Sequence, residues 1–171
     1  MERDEPPPVA VAACQLWQAA DVAGVLLVVH AIPEDPIIAT HPVSFDTRYL
    51  SYKDVRIEAH ETPLATPAMV EAWHPLPVDR VALDHYLGEV PEEVLRLVLR
   101  IRAGIDTEAD RAARSGPKPS SDPGNPAAAF WYREWERWRP ASVRAITLML
   151  SEYPGREEAA TAEVHLELPR P

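Results

Sequence analysis

One cysteine, Cys14, is all the thiol chemistry in this 171-residue chain. An internal disulfide is excluded, and so is a structural zinc site, which needs several cysteines or a Cys/His set at fixed spacing. The six histidines, at 30, 41, 60, 74, 85 and 165, show no ligand spacing either. Cys14 lies in an apolar stretch expected to be a strand, where a thiol is buried rather than reactive. No apolar run approaches the ~20 residues that span a bilayer, and the opening Met-Glu-Arg-Asp-Glu-Pro-Pro-Pro is acidic rather than signal-like. A cytoplasmic protein without membrane contact is expected. Glycine is scarce, at six residues. No glycine-rich phosphate loop, Gly-x-Ser-x-Gly elbow, His-Glu-x-x-His or Cys-x-x-Cys occurs, so no cofactor or metal is expected.

Positive charge is the other shortage. The chain carries a formal −10, and residues 1 to 105 hold 8 basic against 16 acidic side chains, a net −8. Phosphate contacts supply most non-specific affinity for nucleic acid, so a binder ordinarily carries a basic footprint. The single cluster in this region, Arg48, Lys53 and Arg56, is interleaved with Asp46, Asp54 and Glu58. Charge therefore disfavours nucleic acid as a partner. The acid pairs Glu92-Glu93 and Glu157-Glu158 stand at a helix start and beside a turn, where dipole compensation and solvation explain them.

What is present is a succession of short β-forming segments. Val25–Val29, Ile37–Ser44, 54–59 and 67–73 are rich in Val and Ile and bounded by Pro, Asp or Gly, and no helical period fits the first three. Pro91 to Gly104 then reads as a helix, with Pro and two acids in its first turn, arginines in its last and Gly just beyond. A mainly β fold follows, a small barrel capped by a helix.

That order resembles the MazF/PemK family of toxin endoribonucleases and their inactive relatives, small SH3-like barrels that dimerise. The resemblance covers roughly residues 9 to 104. Leu16-Trp17 is similar to the family's first strand and Val25-Leu-Leu-Val-Val29 to its second. Ile37 to Ser44 resembles the strand that ends in Ser or Thr, Pro67 to Trp73 the late strand, and Val78 to Gly88 the segment before the last helix. Family nucleases carry Gly-x-Arg-Pro entering the second strand, and its arginine stabilises the phosphate as the neighbouring ribose hydroxyl attacks. Here the run is Val22-Ala23-Gly24-Val25, which puts Gly24 in the arginine's place. Ser44 keeps the second family position. Arg48, four residues on, is the candidate replacement cation, with His41 and His60 as candidate acid and base. The competing reading makes Ser44 to Arg48 an ordinary turn with a solvated arginine.

The chain divides into the barrel and its helix (1–105), a short helix and Pro/Ser/Gly linker (106–125), and a C-terminal extension (126–171). Asp106 is the expected cap of the short helix, 107–114. From Asn125-Pro126 an amphipathic helix begins, with Phe130, Trp131, Trp135 and Trp138 at three- and four-residue intervals. Trp131, Trp135 and Trp138 either dock on the barrel, anchor a partner, or stack bases, in decreasing order of merit. Beyond Pro140 two readings stay open. Residues 146–150 and 161–168 flank Pro154-Gly155 as a β-hairpin, or Ser142 to Tyr153 is helix.

The sequence as a whole favours a non-catalytic interaction protein on a toxin-like barrel, homodimeric and with a protein partner. The alternative is a metal-independent endoribonuclease acting on single-stranded RNA through Ser44 and Arg48.

Overall fold

The computed structural model describes residues 9–20, 22–117 and 125–152. Seven strands make one antiparallel sheet: β1 (Gln15–Ala19), β2 (Val25–His30), β3 (Ile37–Ser44), β4 (Val55–Ile57), β5 (Ala68–Val70), β6 (Leu76–Asp79) and β7 (Leu83–Glu89). Three α-helices follow: α1 (Glu92–Ala103), α2 (Glu108–Arg114) and α3 (Pro126–Glu152). The mainly β, barrel-like fold capped by a helix is the one the sequence led us to expect. No described helix is long and apolar enough to cross a membrane.

The strands run β4-β5-β3-β2-β1-β7, with β6 also on β3. On β2, Val25 and Leu27 join a core closed by Val94, Leu97, Val98 and Ile101 of α1, while Leu26 and Val28 join a second core closed by Trp138 of α3. A strand covered on both faces is apolar throughout, which is why this segment shows no alternation. One edge of β3 carries β2; the other carries β6 opposite Ile37–Thr40 and β5 opposite Val43–Ser44. The link between β5 and β6 turns out of the sheet, held by Glu71 N–H donating to the Pro42 carbonyl at 3.0 Å and His74 N–H to that of Glu71 at 2.9 Å. The two ends of the sheet approach through a loop. Gly88 in β7 has φ +130°, and a Cβ there would lie 2.6 Å from Pro63.

Helix α1 follows its sequence signals, with Glu92 and Glu93 in the first turn, Arg100 and Arg102 in the last, and Gly104 left-handed at its end. The cap of α2 differs from expectation. Thr107, not Asp106, caps it: Thr107 Oγ1 accepts from Asp110 N–H at 3.2 Å, and Thr107 N–H donates back to the Asp110 carboxylate at 2.7 Å. This reciprocal box satisfies two donors at once and leaves Asp106 to bind Arg111. The expected linker also begins as ordered backbone. Gly116 N–H donates to the Ser51 carbonyl at 3.0 Å and Tyr52 N–H to that of Pro117 at 3.1 Å. Residues 118–124 lie outside the described ones.

Cys14 is not in a strand. It occupies the turn before β1 at φ 68°, half-buried against the α1 core, where burial and then Glu92 and Glu89 push its thiol up. The hairpin is likewise corrected over 146–150, which are helical, α3 continuing through Pro140 to Glu152. An internal proline costs about 3 kcal/mol and one backbone hydrogen bond. Tertiary anchoring beyond it offsets that: Ala145 is fully buried, and Arg144 Nε lies 3.5 Å from Asp79 of β6. The second half of the hairpin, 161–168, and the pair Glu157-Glu158 lie outside the described residues.

Candidate functional site

The start of β2 and the end of β3 meet at one end of the sheet, with Val25 opposite Val43. Gly24 precedes β2 there, and α3 crosses directly over it. A Cβ on Gly24 would lie 2.6 Å from the Trp138 indole and 3.0 Å from Nη2 of Arg137. Beside this crossing an open cavity of about 290 Å³ is lined by Gln18, Gly24, Val43, Ser44, Phe45 and Arg137, among others. Arg137 of α3 and Ser44 of β3 thus line the same space. Arg137 is 38% exposed, donates from Nη1 to Glu134 Oε2 at 3.2 Å, and lies 5.4 Å from the Trp138 ring. Ser44, 8% exposed, accepts from Asp46 N–H at 3.1 Å and keeps its own hydrogen to donate.

Arg48 does not join Ser44 in this cavity. Its Nε and Nη2 donate to the two oxygens of Asp46, each at 2.7 Å, while 79% of the side chain stands in solvent. Two residues apart on one turn, the pair closes locally and turns the fork away. The candidate acid and base are separated as well. His41 is fully buried, with Nδ1 2.9 Å from the Glu71 carbonyl, whereas His60 is exposed in the turn Ala59–Glu61. Burial holds His41 down at about 4, so it stays neutral.

The three tryptophans have separate surroundings. Trp138 is 1% exposed in the second core; Trp131 packs against Trp73, ring centroids 5.9 Å apart; half-buried Trp135 contacts Tyr132 and has Arg139 over its ring. Arg137 itself escaped the sequence reading. It stands in a charged helix 113 residues beyond Gly24, and the one available signal was a side-chain-free residue in front of an apolar strand.

A second cavity, about 400 Å³ between α1 and α2, includes Arg96, Arg100 and Arg114, but each is ion-paired, with Glu92 and Glu93, Asp110 and Glu61 respectively. It offers no free cation.

Beneath α3 lies a buried polar group. Glu71 and His74 meet at 3.3 Å, and burial pushes the carboxyl well above the usual carboxylate range and the imidazole down to about 4. Asp54 is buried nearby in sequence to β4 and is pushed up to about 7 by burial, which outweighs hydrogen bonds from Ser51. The signs oppose one another over one window. Asp54 has a raised folded value, so its contribution is full below about 4 and is lost as pH rises to about 7; His41 and His74 have lowered ones, so theirs is full above about 6.5 and lost as pH falls to about 4. Asp54→Asn is expected to remove the falling contribution between about pH 4 and 7, so that stability rises more steeply with pH over that arm, read as denaturant midpoint against pH. An unchanged arm would refute the assignment.

Scans of family models and of curated proteins match none to this chain. Among solved structures the chain is similar to an endoribonuclease in complex with its cognate antitoxin from a mycobacterial species, at 19% identity, over 56% of this chain and 94% of that one, with a TM-score of 0.48. It is also similar to an endoribonuclease from a mycobacterial species (18%, 57% and 91%, 0.47) and to the Mycobacterium tuberculosis toxin MazF-mt6 (18%, 54% and 99%, 0.46). The likeness is one of fold, over little more than half of this chain.

Proposed function

We propose that this chain is an endoribonuclease that works without a metal, holding a phosphodiester of single-stranded RNA between Arg137 and Ser44. One observation carries the reading: Arg137 and Ser44 line one open cavity. A planar guanidinium matches two phosphate oxygens and stabilises charge that builds on them. In the reaction the 2′-oxygen bonds to phosphorus and the bond to the 5′-oxygen breaks. The 2′-proton goes to water and water protonates the leaving oxygen, leaving a cyclic phosphate and a 5′-hydroxyl. The resemblance set out from the sequence implies the same chemistry, with the cation supplied from α3 instead of from the run before β2. Against the acidic balance of the chain, Arg137 supplies a cation locally, from outside residues 1 to 105 with their net −8.

The test is incubation of mixed-sequence single-stranded RNA with the protein at low salt and with EDTA. Cleavage is expected, with a loss of about 10²–10³ in rate for Ser44→Ala. RNA left intact by the unaltered protein sinks the reading.

A second reading, a non-catalytic homodimer that binds a protein partner, is favoured by the outer edge of β7, which pairs only with β1 among the described residues. An unpaired strand edge is a template for a second chain. A dimer by light scattering together with intact RNA would select it.

A further inference from the structure

We infer that Arg133 and Phe45 extend the cavity into a track for single-stranded nucleic acid, Arg133 taking the phosphate next to the one held by Arg137 and Phe45 carrying a base. The inference rests on the nuclease reading and specifies how its substrate lies. Arg133 and Arg137 are four residues apart on α3, hence on one face and about 5–6 Å apart at Cβ, the order of one step of an extended strand. That face borders the end of β3. Arg137 lines the cavity with Ser44 and Phe45, and the charge of Arg133 acts on the carboxylate of the next residue, Asp46. The helix start is pinned alongside by Phe130, stacked on Tyr49 with centroids 4.9 Å apart. Arg137 thus borders Ser44 and Phe45, and Arg133 lies within electrostatic reach of Asp46.

Arg133 is suited to an outside anion. It is exposed and makes no ion pair among the described residues, unlike Arg48 and Arg137, which have Asp46 and Glu134. Phe45 is 43% exposed at the cavity wall, an apolar face left open beside a phosphate site. Aromatic platforms next to cations are how single strands are held without regard to sequence, since every base has a π-face. On an acidic chain these few residues form the local basic strip that overall charge concealed.

The experiment titrates the full chain with a short mixed-sequence single-stranded DNA, which lacks the attacking 2′-hydroxyl and so is bound but not cut, over a range of salt. Arg133→Ala is expected to reduce the slope of log affinity against log salt by about 0.7, the loss of one phosphate contact. Phe45→Ala is expected to weaken binding about tenfold or more with the slope unchanged. Equal slopes for the unaltered protein and Arg133→Ala overturn the track, and RNA cleavage measured alongside then tells whether the nuclease reading survives it. Absence of binding to DNA, with cleavage of RNA intact, also overturns the track; absence of both overturns the two together.

Discussion

Trp138→Ala is expected to cost about 3–5 kcal/mol of folding stability, the range for emptying a buried aromatic site. Trp138 is 1% exposed and closes the core formed by Trp17, Leu26, Val28, Leu76 and Val78 on the outer face of the sheet. Its indole nitrogen has no hydrogen-bond partner among the described residues, so shape and apolar burial hold it there. Gly24 supplies the room. Its Cβ would stand 2.6 Å from the ring, so Gly24→Ala drives the indole outward and is expected to cost about 1–3 kcal/mol as overpacking. The double variant separates this explanation from a general weakness at either position. With the ring gone the new methyl meets only the flexible end of Arg137, at 3.0 Å, so the pair should cost clearly less than the sum of the singles. Urea melts of the four proteins measure this, and additivity, or a loss below about 1 kcal/mol for Trp138→Ala, would mean that α3 is not docked on Gly24.

The same contact marks how far the sequence could be read. β2, β3 and α1 were legible because each carries its own local instruction: a Val/Leu run, a Val/Ile run ended by Ser44, and a helix with acids first, arginines last and Gly104 beyond. Pro140 misled because it is a true local stop signal that Ala145 and the Arg144–Asp79 contact override from outside the helix. Asp106 misled because two residue types compete for a cap and the reciprocal box of Thr107 and Asp110 satisfies more donors. The candidate site was half legible. Ser44 could be named from its place at a strand end, but its cation could not, since Arg137 reaches the cavity only through the docking of α3. Nor could the burial of His41: a strand with a polar residue at that position reads as a wet face until the side it shares with Leu27 and Val43 is known to be the one α1 covers.

Arg137→Ala is expected to lower RNA cleavage by about 10²–10³, the usual effect of removing one preorganised donor to a developing oxyanion. The loss should fall on the rate at saturating RNA more than on binding, because a guanidinium that meets the phosphate as charge builds up stabilises the transition state more than the ground state. Arg137→Lys is expected to recover little, since a lysine keeps the charge but not the planar pair of donors. Arg48→Ala should cleave at the unaltered rate, its fork being spent on Asp46. Glu134→Gln tests the same guanidinium from the other side. Neutralising the carboxylate 3.2 Å away frees Arg137 for phosphate, so binding should tighten, while an ion pair that merely fastens the helix would give the opposite, a less stable protein with binding unmoved. If Arg48→Ala abolishes cleavage and Arg137→Ala does not, the cation is the one on the β3 turn and α3 is only a cover.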